Sequence, residues 1–283
     1  MSVSDVQSVR APVIGTRFAR SELRLVFTRR RNLAMLGVLV LATALIGVAI
    51  DVSNPEGGAE GPPFLVRVTE NGLFLSLTAL VASLPVFLPL AVSVVAGESV
   101  AGEAGTGTLR YLLITPVDRT RLLAVKYGAI VAYGVVATLV VAVTGVAVGA
   151  LLFPVGDVTL LSGSTVSLAE GLFRTLLVAL YVSAMLATVA ALGLFVSTLT
   201  EVPVAAMSAT SITVVVVEIL DAVPQLSAIH PWLFTHDWLA FGNLLRDPVP
   251  LDPMLNGLAV QAGWIAVLLA MAWARLTSKD ITC

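Results

Sequence analysis

The chain has 283 residues, 58% hydrophobic and only 12% charged, with a mean hydropathy of +0.98. Soluble domains carry about 45–50% apolar and about 25% charged residues, so a water-soluble globule and a disordered chain are excluded. A net charge of −2 leaves no basic field for nucleic acid, and one cysteine, Cys283, with two histidines, His230 and His236, gives no zinc-ligand spacing.

The elements follow in chain order. Residues 1–32 form a basic N-terminus. On a helical wheel, Arg17, Arg20, Arg24 and Arg31 share one face of 13–32. Phe18, Leu25 and Val26 lie on the other, interrupted by Glu22. This predicts a helix lying in the membrane interface, or simply a positive flank of the first span. Apolar runs then follow at about 33–50, 73–97, 127–153, 175–200, 202–223 and 254–274. Crossing ~30 Å of hydrocarbon takes about 20 helical residues, and a backbone in lipid must satisfy its own polar groups. The predicted fold is therefore an all-α polytopic membrane protein with six transmembrane helices over 33–274. Pro85 and Pro89 bend or open the second span. Gly145 and Gly149, spaced G-x-x-x-G, allow close packing in the third. Spans four and five meet in a tight turn at Glu201-Val202-Pro203.

Span five carries Ser208, Thr210, Ser211 and Thr213, which either pack or line a path. Glu218 and Asp221, spaced i, i+3 near its end, are interfacial carboxylates or an outer gate. The 224–253 segment holds Trp232, Phe234, Trp238 and Phe241 with five prolines. It reads as an aromatic-belt loop, an interfacial cap or a half-inserted hairpin. His230 and His236 supply too few ligands for a metal and are expected at the surface with Asp237. The tail is 275–283.

Thirteen basic residues flank the ends of the runs on one side and three, Arg67, Arg174 and Arg246, on the other. The positive-inside rule places both termini in the cytoplasm of a multi-pass plasma-membrane protein. The first run is expected to act as a signal anchor.

The inner loop, 98–126, contains Glu98 and Glu103, then Gly105-Thr106-Gly107-Thr108, which ends the preceding helix. Leu109, Leu112 and Leu113 make a short apolar stripe. Pro116 stops it and Asp118 can cap the next helix. So short a helix needs a surface to bury its leucines, either the membrane or a partner.

This loop resembles that of the membrane subunits of type-2 ABC transporters. The resemblance rests on Glu98, Glu103, Gly107-Thr108-Leu109, Leu112-Leu113, Pro116, Asp118-Arg119 and Lys126. It extends to the basic N-terminal helix with Glu22, the six spans, the tight fourth-to-fifth turn, the long outer segment and the ending with Arg275 and Lys279-Asp280-Ile281. The extra Gly105-Thr106 leaves open which Gly-Thr pair takes the family position; Gly107-Thr108 is favoured. The resemblance implies a cytoplasmic coupling helix that docks into a separate ATPase subunit, with Glu103, Arg110, Asp118 and Arg119 at the rim. It implies a second permease chain, ATP and Mg2+ bound by the ATPase alone, and an N-terminal interfacial helix. An outer helical segment between spans five and six, and a substrate path lined by spans two and five, are implied as well. On the latter, Pro85, Pro89, Ser208, Ser211, Glu218 and Asp221 are the candidates.

Neither lysine, Lys126 or Lys279, lies in a phosphate-cradling glycine loop, so the chain is not expected to be an enzyme. The expected function is export of a small amphiphile, antibiotic or lipid. The alternative is an ion-coupled secondary transporter using Glu218 and Asp221. Against it stand the charge-free span centres and the lack of a repeat. No G-x-S-x-G or H-E-x-x-H pattern supports a hydrolase.

Overall fold

The computed structural model describes residues 15–53, 68–105 and 119–278. They form a nearly all-α bundle of α1 (Gly15–Thr28), α2 (Arg30–Ser53), α3 (Phe74–Ser83), α4 (Phe87–Gly105), α5 (Arg119–Leu152), α6 (Leu168–Leu199), α7 (Pro203–Asp221) and α8 (Asp252–Ser278). Six of these, all but α1 and α3, are long and apolar enough to cross a membrane. A two-residue antiparallel pair, β1 (Val158–Thr159) with β2 (Thr165–Val166), joins α5 to α6. Its turn passes through Gly163 at φ +88°, a conformation glycine adopts without steric cost.

The helices begin and end where local chemistry dictates. Ser167 Oγ accepts the Glu170 N–H at the start of α6 in a Ser-x-x-Glu arrangement. Pro203 occupies the first turn of α7, where no backbone donor is needed, and Thr200 Oγ1 accepts the Val202 N–H in the turn before it.

α6 is the most deeply buried span and packs against α4, α5, α7 and α8. The Ser197 hydroxyl enters the hydrogen-bond ladder of α4, accepting from the N–H groups of Val100 and Ala101 and donating to the Gly97 carbonyl. α3 and α5 approach closely. A Cβ on Gly145 would lie 2.4 Å from Ser76 Cα, and one on Gly149 would lie 2.0 Å from the Gly72 carbonyl oxygen. The sequence spacing at 145 and 149 thus marks a contact with the first half of span two.

Several expected boundaries are corrected. The run at 73–97 is two helices: α3 ends at Ser83, Leu84-Pro85-Val86 form a turn, and α4 restarts at Phe87. Pro85 lacks the N–H that would continue the ladder, whereas Pro89 falls in the first turn of α4 and costs nothing there. α4 runs on to Gly105 and α5 starts at Arg119, so much of the expected loop 98–126 is helix. α6 begins seven residues before the expected 175, and α8 extends to Ser278. Polar residues within reach of the membrane surface continue a helix as readily as apolar ones, which is why hydropathy alone ends these spans early.

The 224–253 segment contains three 3-10 turns, Pro224–Leu226, His230–Trp232 and Ala240–Leu245, in place of a regular helix. Phe234, Trp238 and Phe241 are buried and only Trp232, at 73% exposure, stands free of the bundle. Three of the four expected belt aromatics are therefore core residues.

Candidate functional site

Charged side chains gather at the two ends of the bundle. At the first end, α1 lies along α5 and brings Glu22 over the start of α5. Lys126, with 2% of its side chain exposed, points into this contact. Its Nζ lies 2.7 Å from Glu103 Oε1 and 3.6 Å from Glu22 Oε2, and donates to the Ser99 carbonyl at 2.9 Å. An ammonium taken out of water is costly unless its hydrogens are matched, and here two carboxylates and a carbonyl surround it. Immediately before Ser99, Glu98 binds Arg29 at 2.5 Å and also Arg31, so the α1–α2 junction is clamped to α4. The buried Asn32 donates to the Val26 carbonyl, and Tyr133 Oη donates to the Asn32 carbonyl, fixing the same junction onto α5.

Arg119 opens α5 and donates to the Leu276 and Thr277 carbonyls at 2.8 and 2.9 Å. Those carbonyls belong to the last turn of α8, where intrahelical donors run out and the helix dipole favours a cation.

At the opposite end, α7 closes with Glu218 and Asp221 on one face, both half-buried. Asp221 Oδ1 lies 2.7 Å from His236 Nδ1 and 4.0 Å from His230 Nδ1. The two imidazole rings are 5.7 Å apart, and His230 Nε2 is 3.1 Å from the Val223 carbonyl. Asp237 follows in the chain; burial pushes its carboxyl above the usual carboxylate range, with His236 opposing and Asp221 adding to the shift. Its backbone carbonyl accepts from Tyr181 Oη at 2.8 Å, anchoring the segment on α6. Gln261, buried within α8, bonds Thr188 of α6 and donates to the Phe234 carbonyl at 2.5 Å.

Residues 56–282 match the family described as a protein of unknown function (DUF2705). The chain belongs to this family. No curated protein matches it. The DUF2705 match takes in the carboxylates of α4, Lys126 and the whole Asp221–His236 region, while Glu22, Arg29 and Arg31 precede it.

Within this DUF2705 chain the sequence-predicted residues fall into three sets. Glu98, Glu103 and Arg119 are described, all on helices, and the two glutamates share the Lys126 cluster region. Gly107, Thr108, Leu109, Arg110, Leu112, Leu113, Pro116 and Asp118 lie outside the described residues. The candidate path residues are spread over the turn at Pro85, α4 and α7. Gly105 meets the Glu201 carbonyl and Gly97 meets Met207. Pro85 is exposed and Pro89 buried. Ser211 donates back to the Met207 carbonyl and Thr210 to the Ala206 carbonyl, so these hydroxyls serve their own helix. Ser208 is exposed. Glu218 and Asp221 remain together, but Asp221 is turned toward the histidines.

Sequence reasoning missed four features. It weighed Glu22 and Lys126 separately and never paired them, although a lysine beside a long apolar run, with Glu103 lying 23 positions before it, is itself a signal of burial. It missed the Arg29–Glu98–Arg31 clamp and the polar Gln261 inside span six. It set aside His230 and His236 for want of a third ligand, and folding supplies Asp221 from another element.

Proposed function

We propose that the chain is the permease subunit of an ATP-driven exporter of the type-2 ABC class, working with a separate ATPase that binds ATP and Mg2+. The observation that carries this reading is the convergence of Glu22, Glu98, Glu103 and Lys126 on the helix ends flanking 106–118. In sequence these residues are scattered; in space they tie α1, α4 and α5 into one rigid mount for that connection. A lever that transmits force needs such a mount. The stripe Leu109, Leu112 and Leu113 is the docking surface, with Glu103, Arg110 and Asp118 at its rim. Arg119 anchors the mount to α8.

In this reading the basic end is cytoplasmic, α1 lies in the inner interface of the plasma membrane, and the 224–253 segment caps the outer face. α2, α7 and α8 are the least buried spans; lipid and a second permease chain, identical or related, cover their apolar faces. The turn at Pro85 and the exposed side of α7 line the path of a small amphiphile, drug or lipid. Glu218 and Asp221 stand at the end of α7 and not at midspan, which supports a gating role over proton carriage.

Co-purification tests the proposal. Replacing Leu109 and Leu113 with Asp should leave membrane insertion and yield near wild type but remove an ATPase partner from the purified complex and stop ATP-dependent export. Retention of both by the double variant would show that the stripe rests on lipid and would overturn the coupling assignment.

A further inference from the structure

The Asp221, His230 and His236 side chains bring three ligand atoms within 4.8 Å of one another, from the last turn of α7 and two separate turns of the following segment. We infer that these three residues form a binding site for a borderline divalent transition-metal ion, with Zn2+ the representative case.

The geometry fits such an ion. Tetrahedral zinc with bonds of about 2.0–2.1 Å places its ligand atoms about 3.3 Å apart. The separations from Asp221, 2.7 and 4.0 Å, straddle that value, and all three ligand atoms lie within 4.8 Å of one another, so side-chain rotations would close the shell. His230 has the outer hydrogen bond that metal-binding histidines use: its Nε2–H donates to the Val223 carbonyl, which leaves the Nδ1 lone pair facing Asp221. His236 donates its Nδ1 proton to Asp221 and is 39% exposed; as a cation takes Nδ1, that proton leaves to solvent and Nε2 takes one up, so the ring binds as the neutral Nε2–H tautomer. Three protein ligands leave the fourth position for water, and His236 itself lines an open pocket with Pro231, Asp237 and Asp252. Glu218 lies one turn before Asp221, and Asp237 follows His236, so two further carboxyls flank the three ligands. Two imidazoles with one carboxylate select the zinc–copper–nickel end of the divalent series over calcium or magnesium.

Occupied, the site joins the end of α7 to the segment that packs on α6 and α8 through Tyr181 and Gln261. A metal there would clip together elements held now by the Asp221–His236 hydrogen bond and the Gln261 contacts.

The full-length chain, in nanodiscs, carrying a tag without histidine and Cys283→Ser, would be titrated with Zn2+ in competition with a chromophoric chelator. The expected result is one ion per chain, with His236→Ala, His230→Ala and Asp221→Asn each weakening binding at least about tenfold and Glu170→Gln leaving it unchanged. No zinc uptake by the parent chain, or equal affinity in His236→Ala, would overturn the site. X-ray absorption on the zinc-loaded parent chain gives a readout that needs no variant. Two imidazoles plus oxygen support the assignment, and a shell of oxygen alone contradicts it.

Discussion

Lys126 carries the heaviest electrostatic burden of any single residue described. Its amine sits between Glu103 and Glu22 with almost no exposed surface. Removing one partner of a buried ion pair costs about 3–5 kcal/mol, because the charge left behind has neither water nor a counter-ion. Lys126→Met takes the ammonium from between two largely buried carboxylates and should destabilise the chain by about 3 kcal/mol or more. Glu22→Gln, which removes the longer of the two contacts, should cost less than about 1.5 kcal/mol. Unfolding in mixed micelles with increasing anionic detergent would rank the two; equal stability of Lys126→Met and the parent chain would contradict the burial argument. The residue types of this cluster were legible in the sequence, since Glu22, Glu98, Glu103 and Lys126 all stood out against an apolar background. Their meeting was not, because nothing local in the chain says that α1 folds back along α5. The same holds for Asp221 with His230 and His236, where the third ligand comes from across a turn.

Span two shows what helix-level reasoning captures and loses. Hydropathy found its apolar run, and Pro85 predicted a disturbance. It did not show that the disturbance is a complete break, with α3 packed on α5 and α4 packed on α6 and α7. A proline's effect depends on whether it falls within a helix or in a first turn, and only the restart at Phe87 separates Pro85 from Pro89. The glycines of α5 give a test within one helix. An added Cβ at Gly128 meets nothing within 4 Å, whereas at Gly145 it strikes Ser76 backbone. Gly128→Ala should be neutral or stabilising by about 0.5–1 kcal/mol. Gly145→Ala should cost about 1–3 kcal/mol, because backbone cannot step aside as a side chain does. The same detergent titration on both variants checks this, and an equal response would mean that α3 does not rest on α5 as described.

For the whole molecule, the six long apolar helices followed from composition and run length. The buried aromatics of the 224–253 segment did not, because a tryptophan at a membrane surface and one folded under a loop look alike in sequence. The central claim is that the basic end receives an ATPase through the 106–118 connection. Photo-crosslinking in intact cells tests it most directly, with a photoreactive amino acid placed at Leu112 and, in a parallel strain, at Ser162 on the opposite end. The account predicts a covalent adduct between the Leu112 probe and a nucleotide-binding ATPase subunit, and none from the Ser162 probe. An ATPase adduct at Ser162, or none at Leu112 while the chain is correctly inserted, would contradict it.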